Sequence, residues 1–116
     1  MIKVFFYFIL PLAFSFYSCE LKEIEKPFPQ VNKIKMEKKY KINLPEEHSS
    51  GYIWQLSENY DMTKISHLNT VWHGNKKGVN FNFAPIAAGQ TTLTFILRKY
   101  NDTSDIKQFI VQIADE

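Results

Sequence analysis

Few residues in this chain have the types and spacing that chemistry requires. His48 stands beside Ser49 and Ser50 in "LPEEHSSGYIWQL" (44–56), with Glu46 and Glu47 just before it. Hydroxyl, imidazole and carboxylate are the members of a hydrolase triad. Such triads, however, are assembled from separate parts of a fold, and neighbours in sequence do not give the nucleophile–base–acid geometry. Consecutive side chains of an extended segment point to opposite sides, so Glu46 and Glu47 make a poor acid/base pair. His48, His67 and His73 lack both the i, i+4 helical spacing and the His-x-His strand spacing of zinc sites. A site drawn from His67, His73 and a distant carboxylate stays open, although histidines in polar loops are usually just solvated. There is no glycine-rich phosphate loop, and Cys19, the only cysteine, rules out an intramolecular disulfide and an all-cysteine metal site. No catalytic residue, metal or cofactor is expected. The chain does not read as an enzyme.

The elements that must carry these residues have a period of two. Tyr40, Ile42 and Leu44 alternate with polar neighbours, as do Tyr52, Trp54 and Leu56, then Val79, Phe81 and Phe83, then Leu93, Phe95 and Leu97, and last Phe109, Val111 and Ile113. Strict alternation buries one set and turns the other to water. Shorter strands are expected around Lys33–Met36 and Val71–Trp72. Loops are expected at Pro45–Gly51, Glu58–Lys64, His73–Gly78, Pro85–Gln90 and Tyr100–Asp105, each rich in Gly, Pro, Asn, Asp or Ser. The fold class is therefore all-β: an immunoglobulin-like antiparallel β-sandwich of six to eight strands.

The first 18 residues are of another kind. A single charge, Lys3, precedes an apolar run from Val4 to Phe14, the layout of a secretory signal peptide; the run is too short for a membrane span and is broken by Pro11. Cys19 closes the segment behind Ser18 and resembles the lipidated cysteine of bacterial lipoproteins, with Phe16 and Tyr17 departing from the usual pattern. Glu20 is not the aspartate that retains such proteins at an inner membrane, so an outer-membrane or surface location is expected, with a secreted or periplasmic protein as the alternative. Residues 20–30, "ELKEIEKPFPQ", read as a tether between lipid and domain. The expected organisation is a signal peptide over 1–18, lipidated cysteine and tether over 19–30, and a sandwich over 31–116. Without the leader the chain has 13 basic and 12 acidic residues. A nucleic-acid binder carries a marked basic excess, so "NKIKMEKKYK" (32–41) is read as the solvated face of a strand. A monomer is expected.

A rigid sandwich with decorated loops is the architecture of a binding module. "INLPEEHSSGYIWQL" resembles the first signature of the chagasin-type inhibitors of papain-family cysteine proteases, a strand ending Leu-Pro followed by Asn-Pro-Thr-Thr-Gly, an aromatic, one residue and Trp. Gly51, Tyr52 and Trp54 match, Ser49 and Ser50 keep the two hydroxyls, and Glu47 and His48 replace Asn-Pro. "GNKKGVNFNF" (74–83) is similar to the second signature, with Gly78 retained and Lys77, after Lys76, where a glycine is expected. "AAGQTTLTFILRKY" (87–100) is similar to the third up to Arg98, with Lys99 and Tyr100 in place of Pro-Trp; a one-residue slip would give Lys99 the arginine's place. The resemblance covers roughly residues 33–114, with the three motifs in the family's order.

The resemblance implies reversible, non-covalent inhibition, with three loops at one end of the sandwich wedged into the protease cleft. It implies protease-binding roles for Glu47, His48, Ser49, Ser50, Gly51, Tyr52, Lys76, Lys77, Gly78, Arg98, Lys99 and Tyr100, with Trp54 as support from behind. Blander readings stand beside these. Trp54 suits the core, Tyr52 shares its face, Arg98 could pair with Asp102, and the glycines could be ordinary turn residues. The rival function is a surface lipoprotein of the same fold that binds another protein or a glycan without inhibiting anything.

Overall fold

A computed structural model describes residues 21–115. The leader and Cys19, and the expectations attached to them, lie outside the described residues.

Eight strands form two four-stranded sheets. They are β1 (Lys22–Glu23), β2 (Val31–Lys35), β3 (Tyr40–Leu44), β4 (Ile53–Leu56), β5 (Ile65–Trp72), β6 (Val79–Pro85), β7 (Gly89–Lys99) and β8 (Asp102–Ala114). One sheet has the order β1-β3-β6-β5 and the other β2-β8-β7-β4. This is the expected immunoglobulin-like sandwich. Its pairings are antiparallel except at two edges, where β1 joins β3 and β2 joins β8 in parallel.

The alternation read from the sequence explains the core. Ile42, Leu44, Val79, Phe81 and Phe83 project from one sheet, and Leu93, Phe95, Phe109, Val111 and Ile113 project from the other. Phe95 sits at the centre, its ring centroid 4.8 Å from Phe81 and 5.8 Å from Phe109, both edge-on. Aromatic pairs prefer this geometry because the electron-rich face of one ring meets the positive edge of the other.

Three expectations need correction. The short strand expected at Val71–Trp72 is the end of an eight-residue strand, Ile65–Trp72, whose polar first half carries no alternation. The stretch 21–30 is not a free tether throughout. Lys22 and Glu23 add a strand beside Tyr40 and Lys41, Ile24 is 3% exposed within the core, and the Phe28 amide donates to the Gln108 carbonyl at 2.8 Å. A short β-bridge beside a charged run leaves no alternation to read, so the prolines dominate the sequence signal. The loop expected over Tyr100–Asp105 is only a two-residue turn, Tyr100–Asn101. β8 begins at Asp102 and pairs with β7 at once, Lys99 opposite Asp102. Asn, Asp, Thr and Ser there mimic loop composition, but the long hairpin overrides it by a bulge between Leu97 and Arg98.

Successive strands from β2 onward run alternately along the sandwich. The connections β3–β4, β5–β6 and β7–β8 therefore lie at one end, the tip, and β2–β3, β4–β5 and β6–β7 at the other, the base. Truncation of Ile24 to alanine tests the corrected boundary. A buried aliphatic loses about 2–5 kcal/mol on truncation, whereas a tether residue should lose nothing that denaturant unfolding can resolve. An unchanged midpoint would return Ile24 to the tether.

Candidate functional site

Three turns meet at the tip. The central loop, Pro45–Tyr52, leaves β3 from the buried Leu44 and enters β4 at the buried Trp54. Glu47 is extended, His48–Ser50 form a single 3₁₀ turn, and Gly51 closes it at φ 84°, ψ −6°. That left-handed conformation strains any residue with a Cβ, which accounts for glycine at this position. The turn is bonded to itself. The Ser50 and Gly51 amides donate to the Glu47 and His48 carbonyls, both at 3.1 Å. The Ser50 hydroxyl donates to the Glu47 carbonyl at 2.7 Å and accepts from the Tyr52 amide at 3.2 Å. Glu47, His48, Ser49 and Ser50 are all exposed.

Beneath them the sequence reading missed the residue that holds the loop. Glu46 is 4% exposed, the one buried side chain between Pro45 and Gly51. Its Oε1 accepts the Trp54 amide at 2.8 Å, and its Oε2 accepts His48 Nε2 at 2.7 Å. The His48 ring then stacks on Trp72, centroids 3.7 Å apart and planes 9° from parallel. The indole N–H of Trp54 donates to the Pro45 carbonyl at 2.8 Å, supporting the loop from behind. The consecutive glutamates do point apart, Glu46 inward and Glu47 outward. What decides between them is the unpaired amide of Trp54, a backbone requirement that no side-chain pattern displays.

The second turn, His73–Gly78, packs against the first. The Asn75 carboxamide oxygen accepts the His48 amide at 3.2 Å, and the Asn43 carboxamide donates to the Lys77 carbonyl at 2.8 Å. Gly78 has φ 75°, and a Cβ there would lie 2.2 Å from the Leu44 carbonyl oxygen. Glycine here lets the second turn touch the root of the central loop. Lys76 and Lys77 stand exposed.

The third turn is the β7–β8 hairpin tip. Tyr100, at φ 56°, is 90% exposed. Of the two basic residues before it, Lys99 reaches the central loop. Its side chain lies along Gly51 and its Nζ is 5.9 Å from the Tyr52 ring centre. Arg98 is half-buried opposite Ile53. Asp102 does not pair with Arg98 but accepts the Tyr52 hydroxyl. This bond, then burial, then the carboxylate's charge raise the Tyr52 pKa above its ordinary value.

The structure thus brings every protease-binding candidate to the tip, and adds Glu46, Trp72, Asn75 and Asp102. Trp72 lay in a predicted strand directly before a predicted loop, and that position was the available signal. His67 lies apart from the tip, bonded to the Asn69 carbonyl and the Thr70 hydroxyl. Among the described residues no three His, Cys, Asp or Glu side chains cluster as metal ligands would. The tip holds exposed serines and no base–nucleophile contact: His48 is bonded to Glu46 and stacked on Trp72. What it offers is shape and polar contacts.

No family model and no curated protein sequence matches this chain. Solved structures share its fold, two of them as follows. The cysteine protease inhibitor EhICP2 from Entamoeba histolytica is 16% identical with a TM-score of 0.68, covering 81% of this chain and 95% of that one. Amebosin, a solution structure, is 10% identical with a TM-score of 0.55, covering 82% and 99%. At these identities the likeness is one of fold.

Two outcomes follow from the tip's geometry. Replacing Glu46 with alanine strands the buried Trp54 amide and frees His48. An unsatisfied buried donor costs about 1–3 kcal/mol, and the loss should appear in denaturant unfolding together with faster amide exchange at His48–Tyr52. Unchanged exchange would remove Glu46 from its role. The second outcome concerns Tyr52. A phenol whose folded pKa is raised stabilises the protein at pH values below its unfolded value of about 10, and the contribution disappears as pH climbs through the folded value. Asp102→Asn should bring the Tyr52 ionisation down towards its ordinary value in a phenolate absorbance titration, and identical titrations would show that the contact is not made in solution.

Proposed function

We propose that this protein is a reversible, non-covalent inhibitor of papain-family cysteine proteases, with the tip as its working surface. The observation that carries the reading is the convergence of the three motif-bearing turns on one end of a rigid sandwich. Between them stands a central loop that hydrogen bonds and a buried carboxylate keep in one shape. A loop ordered before binding loses little conformational entropy on docking. The shared fold with a cysteine protease inhibitor adds support, as does the order of the three sequence motifs.

In this reading His48–Gly51 occupies the middle of the protease cleft and covers the catalytic cysteine and histidine. Ser49 and Ser50 supply hydroxyls at the apex. The second turn, with Lys76, Lys77 and Gly78, and the hairpin tip, with Arg98, Lys99 and Tyr100, grip the two walls. An exposed tyrosine preceded by two basic side chains has the composition of an interface anchor. Glu47 stands free at the surface, while Glu46 and His48 restrain the loop where the family has a proline. Residues 1–18 act as a signal peptide, and Cys19 is lipidated and holds the domain at a membrane outside the cytoplasm, at the outer membrane or cell surface.

Titration of papain and of a cathepsin L-like protease with the purified protein should give reversible inhibition that competes with substrate. No inhibition at micromolar concentrations would reject the reading. Replacing Ser49–Ser50–Gly51 as a block should abolish inhibition while the unfolding transition stays cooperative; inhibition that survives the block would remove the central loop from the interface. For the anchor, Cys19→Ala should shift the protein from the membrane to the soluble fraction, and unaltered fractionation would reject lipidation.

A further inference from the structure

The base of the sandwich is as distinctive as the tip. Charge is segregated along the chain: seven lysines and three glutamates lie between Lys22 and Lys41, against six basic and seven acidic side chains from Ile42 to Asp115. The fold gathers the basic group. β1 and β2 are the edge strands of opposite sheets, and the opening between them is a cleft of about 510 Å³ lined by Lys22, Lys26, Lys33, Lys35 and Lys38. Lys39 and Lys41 adjoin it, their carbonyls accepting the amides of Lys22 and Ile24 at 3.0 and 2.9 Å. Glu23 and Glu25 also line the cleft, and Glu37 sits in the turn above it. Even so, among the described residues no lysine or arginine lies within 4.0 Å of a carboxylate; the one carboxylate–base contact is Glu46–His48 at the tip. The lysines outnumber the glutamates beside them, and all but the half-buried Lys41 are exposed.

The direction of the chain gives this patch a setting. β1 runs parallel to β3 with Lys22 opposite Tyr40, the first residue of β3, so the described chain begins at the base, the end away from the three turns. Only two residues, Glu20 and Leu21, separate Cys19 from Lys22. Three peptide units span at most about 10 Å, which is about one Debye length at moderate ionic strength. An acyl chain on Cys19 would hold the lysine-lined base within electrostatic reach of the lipid headgroups.

We infer that the base is a docking face for anionic phospholipid headgroups, which orients the domain with its tip directed away from the membrane. Acyl chains on Cys19 would supply the anchor, and the polybasic face would add electrostatic attraction to anionic lipids. Each lysine near an anionic surface strengthens binding about fivefold. The same geometry leaves the tip free for a soluble protease, whereas a domain lying on its side would hide one wall of the wedge. The distance argument rests on the lipidation of Cys19 proposed above; the charge of the face does not.

The test uses the full chain carrying Cys19→Ala, so that acylation plays no part and its failure is read separately by fractionation. Co-sedimentation is measured with vesicles of phosphatidylcholine alone and of phosphatidylcholine mixed with phosphatidylglycerol. Any contribution of the apolar leader is common to both. The expected result is tighter binding to the anionic vesicles, weakened by salt. Reversing Lys22, Lys33, Lys35 and Lys38 to glutamate should weaken it at least about tenfold, and exchanging them for glutamine should weaken it less, with circular dichroism unchanged in both. Equal binding to the two compositions, or an anionic preference that survives both sets of changes, would overturn the inference. Tighter binding to heparin than to anionic vesicles at the same salt would also overturn it, giving the face to a soluble polyanion.

Discussion

The tip depends on one buried carboxylate. Removing a carboxylate from water is costly unless its oxygens find partners, and Glu46 finds one on each side: the Trp54 amide on Oε1 and His48 on Oε2. The first bond ties the loop to the strand that follows it. The second ties it to Trp72, on which the imidazole stacks, and so to the strand preceding the second turn. A loop of exposed polar residues thereby becomes part of the scaffold. The magnitudes support this assignment. A well-placed proline restrains a loop by about 0.4–1 kcal/mol through the unfolded chain, whereas hydrogen bonds to charged groups contribute about 1.5–3 kcal/mol each. The loop therefore needs no proline to keep its shape. Its restraint lies in a side-chain network.

The two remaining turns are held by close approach and by single polar contacts to the central loop. Gly78 lies so near Leu44 that any side chain would collide with its carbonyl, and Asn75 reaches His48 across that narrow gap. On the other flank Lys99 lies against Gly51, and the Tyr52 hydroxyl crosses to Asp102. Both neighbours brace the central loop. The outer turns each contribute a group to the central loop, so a change at Asn75 or Asp102 acts on a residue far away in sequence.

Much of the fold was legible because it follows from alternation. Every apolar triplet that marked a strand in the sequence lies in or directly beside one in the structure, and most of their members are buried. The errors share a physical origin: local composition was outvoted by pairing. "ELKEIEKPFPQ" looks like a linker, yet it needs only Ile24 and two ladder positions to join the sandwich. "NDTSD" looks like a loop, yet a long hairpin carries it into β8. The site was legible to the extent that the motifs named its surface. Its foundations were hidden, because Glu46 is defined by a backbone amide eight residues away and Trp72 by a ring that folds back onto it.

The two ends of the molecule share only the packed core between them. That core is filled by the interdigitated aromatic rings of Phe81, Phe83, Phe95 and Phe109, and packing of this density transmits shape without coupling distant charges. Effects at well-separated positions with no common partner add independently. A change among the residues of the tip therefore leaves the lysines of the base undisturbed. A scaffold whose strands alternate in direction places successive connections at opposite ends. One end is then available for recognition and the other for attachment.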